Sequence, residues 1–236
     1  MLEAIILAAG RGTRLRPYTE HTPKPLLAVQ GKPILHWILQ ALPAEVSKLY
    51  VVVNYLAEQI EAWLAHQENL PSYQIVYQQQ PLGSGDALLA CKPLVSGSRF
   101  LVLNGDDLYS RADLASLLLY DFALLAYPVQ HPHLFGILIM GQDGRLQELV
   151  EKPNWSGPQL ANTGAYILPR SILEIQPTRS PRGEFELTEM VTKLARRQEC
   201  RVVQARFWYP ISTVEAWQEA QTLDLNSYAT NSHTVS

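Results

Sequence analysis

Residues 7–27 read LAAGRGTRLRPYTEHTPKPLL, a stretch that sets Gly10 and Gly12 among Arg11, Arg14 and Arg16 and ends near Lys24. Glycines so placed let the backbone approach a phosphate closely and aim amide donors at it. The guanidinium and ammonium groups add charge-assisted bonds to its oxygens. The loop is therefore suited to a polyphosphate. It is not a dinucleotide fingerprint, because the third glycine is missing, and it is not a Walker loop, because Lys24 is too distant. The ordinary alternative is a solvated basic loop carrying both Arg14 and Lys24.

Other candidate residues are weaker when taken singly. Asn104-Gly105-Asp106-Asp107 follows an apolar run, where Asp106 is either a turn former or a hard-cation ligand. QQQPLGSGDA at 78–87 is by itself a turn leading into a helix, and Glu151-Lys152-Pro153 is by itself a solvated loop. His131-Pro132-His133 has no third ligand close in sequence, and no serine has nucleophile-elbow spacing. Metal-histidine and acyl-transfer chemistry therefore find no support.

The elements that must carry these residues alternate. Residues 3–9 form an almost continuous apolar run, as in a buried parallel strand. Helical spacing at 33–42, a β-branched run at 49–53, a helix at 58–66, a strand at 73–77, a helix at 84–92 and a strand at 100–103 follow. The rhythm then changes to strands at 123–129, 135–140, 146–151 and 161–168, with a hairpin signal at Gln142-Asp143-Gly144. A helix at 189–197 with Thr188 as N-cap, a strand at 200–205 and a helix at 214–223 complete the series. The expected fold is α/β: a Rossmann-like, mostly parallel mixed sheet with helices on both faces and an antiparallel extension. One domain is expected over 1–225, followed by a polar, frayed tail at 226–236.

Of the 236 residues 47% are hydrophobic, ample for one continuous core. With a net charge of −3, an anionic substrate must be met by a local basic site, and a nucleic-acid groove is not expected. Cys91 and Cys200 read as reduced thiols without metal-ligand spacing. Trp37, Trp63 and Trp217 fall on apolar helical faces and read as core or interface anchors. The first apolar run is too short for a secretory signal, and nothing approaches the roughly 20 apolar residues of a membrane span, so a cytoplasmic protein is expected. Oligomeric state is not encoded in any visible pattern, and a homo-oligomer stays open.

The 7–27 string, with Leu-Ala-Ala-Gly, Gly-Thr-Arg-Leu and Pro-Lys-Pro-Leu in order, resembles the signature of the sugar-1-phosphate nucleotidyltransferases. The likeness extends over nearly the whole chain and weakens toward the C-terminus. It implies an enzyme that joins an NTP to a hexose 1-phosphate and releases pyrophosphate, with Mg²⁺ as cofactor, UTP favoured and dTTP next. Carried over by position, Leu7, Ala9, Gly10, Gly12, Thr13, Gln78 and Gly83 would bind nucleotide, Gln78 reading the base edge. Arg14, Lys24 and Lys152 would be catalytic, Lys152 on the sugar phosphate. Gly136, Glu151 and Asn162 would face the sugar, and Asp106 would bind the metal.

One segment departs from this pattern. A second metal-binding aspartate is expected in a Trp-x-Asp-x-Gly-Thr run, and this chain has Trp208-Tyr209-Pro210-Ile211-Ser212-Thr213, with proline at the aspartate position. Asp106 would then rely on phosphates, water, Asp107 or Ser212. The departure keeps open a nucleotide-sugar-binding regulatory protein of weak or no turnover, and a phosphocholine- or muramate-type nucleotidyltransferase. A metal-dependent glycosyltransferase is a reading of another class, which Pro23-Lys24-Pro25 and the basic loop disfavour.

Overall fold

The computed structural model describes residues 2–230. The chain opens with β1 (Leu2–Leu7), and a hairpin of β2 (Ala28–Val29) and β3 (Lys32–Pro33) leads into α1 (Ile34–Ala41). There follow β4 (Val46–Val53), α2 (Ala57–Ala65), β5 (Ser72–Tyr77), α3 (Ser84–Ala90) and β6 (Arg99–Asn104). Next come β7 (Asp107–Tyr109), α4 (Arg111–Leu117), β8 (Ala123–Val129), β9 (Gly136–Met140), β10 (Leu146–Glu151) and β11 (Gln159–Pro169). The last elements are α5 (Leu187–Ala195), β12 (Arg201–Gln204), β13 (Trp208–Pro210), α6 (Val214–Glu219) and α7 (Leu225–Thr230).

Nine strands share one sheet in the order β10-β9-β11-β6-β1-β4-β5, with β8 on β11 and β12 on β8. The centre is parallel: β1 pairs with both β4 and β6, and β4 with β5. β11 reverses direction against β6 and against β8, and β9 and β10 form the expected antiparallel hairpin. This is the expected α/β architecture, with its antiparallel extension in the same sheet.

The near-continuous apolar character of β1 follows from burial on both faces. Ala4 and Ile6 enter one core with Leu35, Ile38, Ile60 and Leu114, whereas Ile5 enters the other with Leu88, Met190 and Val191. Helices therefore cover both faces, and the loops leaving β1 and β6 lie side by side at the carboxyl edge, where open α/β sheets place their ligands. Gly105 N–H donates to Leu7 O at 2.9 Å and joins those two loops.

Four expectations need correction. β4 begins at Val46, ahead of its β-branched run, because Leu2 pairs with that residue. α5 begins at Leu187, and its N-cap is Glu186, not Thr188. The short elements β7 and α4 have no counterpart in the periodicity reading. Residues 226–230 are helical, not frayed: Leu225 is buried, and Tyr228 stacks on Phe207 with ring centroids 3.9 Å apart. The rest of the predicted tail lies outside the described residues. Cys91 and Cys200 are free and buried, and burial pushes both thiols up to about 12. Among the described residues no helix is long and apolar enough to cross a membrane.

Candidate active site

The loop after β1 is folded by its second glycine. Gly12 has φ +61°, the left-handed region, and caps the 3-10 turn Thr13–Leu15, whose Leu15 is fully buried as an anchor. Thr19 Oγ1 donates to Gly12 O at 2.8 Å, and a Cβ on Gly12 would stand 3.0 Å from Lys24 Cβ. The loop thus closes against Lys24, while Arg14 stays exposed. Lys24 is only 8% exposed, set between buried Pro23 and Pro25, and its Nζ lies 2.5 Å from Asp106 Oδ2. The expectation of a solvated lysine is therefore corrected. The structure makes Lys24 an inward-facing ammonium paired across the two loops.

Two adjoining cavities open here. The smaller, about 240 Å³, is walled by the Gly12–Arg14 turn, Lys24, Asp106 and Ser212. The larger, about 510 Å³, is lined by all seven residues expected to bind nucleotide, from Leu7 and Gly10 to Gln78 and Gly83. Gly83 has φ +109°, and a Cβ there would fall 2.5 Å from Phe185 O, so the loop between β5 and α3 lies directly on the segment before α5. Gly85 N–H donates to Phe185 O at 2.7 Å, and Phe185 N–H to Leu82 O at 2.7 Å.

Among the described residues Asp106 is the one carboxylate lining the smaller cavity. Asp107 does not assist it: this side chain is buried and receives Trp208 Nε1–H at 3.3 Å and Asn104 Nδ2–H at 3.4 Å. Burial first, then the Asp106 charge, pushes its carboxyl up to about 8 against the opposing charge of Lys24. Pro210 lies opposite Asp107 in the β13–β7 pair and offers no side-chain oxygen, whereas Ser212 reaches the cavity wall. Among the described residues no three His, Cys, Asp or Glu side chains gather as a metal site. The side chains therefore fit a divalent cation only as one carboxylate, Asp106, completing an oxygen shell supplied mainly by phosphate and water.

Two of the residues expected to face the sugar meet across β9 and β10, while Asn162 lies on the neighbouring β11, and none of the three lines either cavity. Register places Glu151 opposite Gly136, whose missing Cβ would stand 3.2 Å from Glu151 Oε1. Thr188 Oγ1 donates to Glu151 Oε1 at 3.1 Å, which is the use of the hydroxyl expected to cap α5. Asn162 Nδ2 donates to Tyr166 OH at 2.5 Å, and the Glu151 charge reaches that same tyrosine. Lys152 has φ +45°; burial lowers its ammonium pKa first, then the nearby charges of Arg14 and Arg182 lower it further.

Arg182 is one residue that the sequence reading missed. It lies in a loop between β11 and α5, held by Glu186 at 2.8 Å, with Glu151 at 4.0 Å. The Ser180-Pro181-Arg182-Gly183-Glu184 run has no periodicity, and only its ion pairs with Glu186 and Glu151 and the charges of Arg182 and Arg14 felt at Lys152 expose a group of three cations that act on one another.

The family model "Nucleotidyl transferase" matches residues 3–227. This chain belongs to that family. Among the nucleotidyl transferases similar to it, "Bifunctional protein GlmU" of Methanococcus maripaludis is 35% identical over 215 residues, covering 89% of this chain and 51% of that protein. The chain thus spans about half the length of the GlmU relatives it matches. "UTP--glucose-1-phosphate uridylyltransferase AglF" of Haloferax volcanii is 31% identical over 207 residues, covering 83% of this chain and 84% of AglF. In fold, the chain is similar to a solved UDP-glucose pyrophosphorylase complexed with UDP-glucose, with a TM-score of 0.83 at 24% identity and coverage of 97% and 98%.

Proposed function

We propose that this nucleotidyl transferase forms an NDP-sugar and pyrophosphate from an NTP, UTP first and dTTP next, and a hexose 1-phosphate. The observation that carries this reading is the pair of adjoining cavities: one set for a base by Gln78 and Gly83, the other walled by Arg14, Lys24 and Asp106. The name of AglF, which gives UTP and glucose 1-phosphate as its substrates, supports it.

The chemistry needs little beyond placement. A phosphate monoester has a second pKa of about 6, so the sugar phosphate is already a nucleophilic dianion at neutral pH and no general base is required. Gly10 and Gly12 lay backbone donors along the triphosphate, Arg14 and Lys24 neutralise it, and Lys152 with Arg182 delivers the sugar phosphate toward the α-phosphorus. A dianion among Arg14, Lys152 and Arg182 offsets the burial that first lowers the Lys152 ammonium pKa and the cation repulsion that lowers it further. Glu151, held by Thr188, and Asn162 receive sugar hydroxyls or an N-acetyl group beside Gly136. Asp106 would hold a Mg²⁺ ion, which would supply charge neutralisation at the phosphates.

Pro210 favours a second reading, a nucleotide-sugar-binding protein with little turnover. Pyrophosphate release assayed over a grid of NTPs and hexose 1-phosphates separates the two: release with UTP supports the enzyme. Binding of nucleotide-sugar without release supports the second reading.

A further inference from the structure

Gln78, just past β5, is fixed at every atom except one. Its backbone N–H donates to Val53 O at 2.9 Å, and its carbonyl accepts Asn54 Nδ2–H at 2.7 Å. The side chain is 5% exposed and lines the larger cavity. Nε2 donates both to Gly83 O at 3.0 Å and to Asp86 Oδ2 at 2.8 Å.

An amide nitrogen has two hydrogens, and here each meets an oxygen that accepts. This fixes the amide's orientation on physical grounds, since the flipped amide would set its oxygen against a carbonyl and a carboxylate at hydrogen-bond distance. No donor among the described residues reaches Gln78 Oε1. Asp86 stands in the first turn of α3 and outside the cavity lining, so it acts on the amide from behind.

We propose that Asp86 is a positioning residue that sets base selectivity: by taking one Gln78 amide hydrogen while Gly83 O takes the other, it keeps both turned inward and leaves a lone acceptor for a base bearing an imino N–H. Uracil and thymine carry that donor at N3 and guanine at N1. Cytosine and adenine present a ring nitrogen lone pair at the corresponding edge, which leaves two acceptors facing one another without a proton. The assignment rests on the nucleotide-binding reading of the larger cavity and deepens it by giving the base contact a polarity.

The test is calorimetric titration of UTP, CTP and N3-methyl-UTP into the intact protein with Mg²⁺, repeated for Asp86→Asn and Asp86→Ala. Asparagine can turn its own amide either way, and alanine leaves Gln78 a spare N–H. The intact protein is expected to prefer UTP to CTP by about tenfold or more and to treat N3-methyl-UTP like CTP. In both variants the UTP-to-CTP ratio should shrink to within about threefold, with unchanged melting curves. Equal weakening of UTP and CTP in both variants would mark Asp86 as merely structural and overturn the assignment. Equal binding of UTP and CTP by the intact protein would overturn it too, while leaving the nucleotidyltransferase reading in place. Failure of the intact protein to bind any nucleotide would remove both.

Discussion

Arg14 and Lys24 share one loop but face different surroundings, and their alanine variants should separate accordingly. Arg14 is exposed, so Arg14→Ala should cut kcat by about a hundredfold or more while leaving the melting temperature unchanged. Lys24 is buried against Asp106, so Lys24→Ala should lower both kcat and the melting temperature. Parallel turnover and melting assays distinguish the two patterns. For Lys152, burial and the Arg14 and Arg182 charges lower the ammonium pKa below the ordinary lysine value, so the charged form is lost sooner as pH rises. The KM for the sugar phosphate should therefore climb on the alkaline side, beginning below the usual lysine range. Lys152→Arg should flatten that climb because the guanidinium keeps its charge, whereas the same alkaline profile in that variant would take Lys152 off the sugar phosphate.

Elements decide which of these residues can cooperate. The base loop and the segment before α5 approach so closely at Gly83 that a methyl group there would strike Phe185 O, in a backbone conformation that L residues rarely adopt. Gly83→Ala should therefore cost about 1–3 kcal/mol, a drop of roughly 5 °C in melting temperature, and raise the KM for UTP. Unchanged values in calorimetry and kinetics would show that the two segments do not need this contact. At β13, Pro210 stands opposite Asp107, two residues before the cavity-lining Ser212, and offers no carboxylate. Pro210→Asp should let the nucleotide-free protein hold Mn²⁺ at least about tenfold more tightly, read by electron paramagnetic resonance. Metal binding as strong before the substitution as after it would show that Asp106 suffices alone.

For the molecule as a whole, what could be read in the sequence tracks how local each cause is. The strands of the large sheet announced themselves because burial on both faces demands apolar runs, and helices such as α1 and α5 because one face is covered. The loop at 7–27 was legible because glycine spacing and charge act within a few residues. Lys24 was misplaced as solvated because its partner, Asp106, lies 82 residues away and no pattern links them. Arg182 and Asp86 were missed for the same reason: each acts through a neighbour supplied by another segment, Lys152 in one case and Gln78 in the other. The helix at 225–230 was hidden because its sequence is polar, and its stability comes from Leu225 in the core and Tyr228 on Phe207.

The central claim is that the two adjoining cavities hold an NTP and that the three-cation group brings a hexose 1-phosphate to its α-phosphorus. Pyrophosphate release with Mg²⁺, measured for UTP, dTTP, GTP, CTP and ATP against glucose, mannose and N-acetylglucosamine 1-phosphates and phosphocholine, tests it most directly. The account predicts release with UTP and a hexose 1-phosphate, abolished by Arg14→Ala. Absence of release across the whole grid, with nucleotide-sugar still bound, would contradict it.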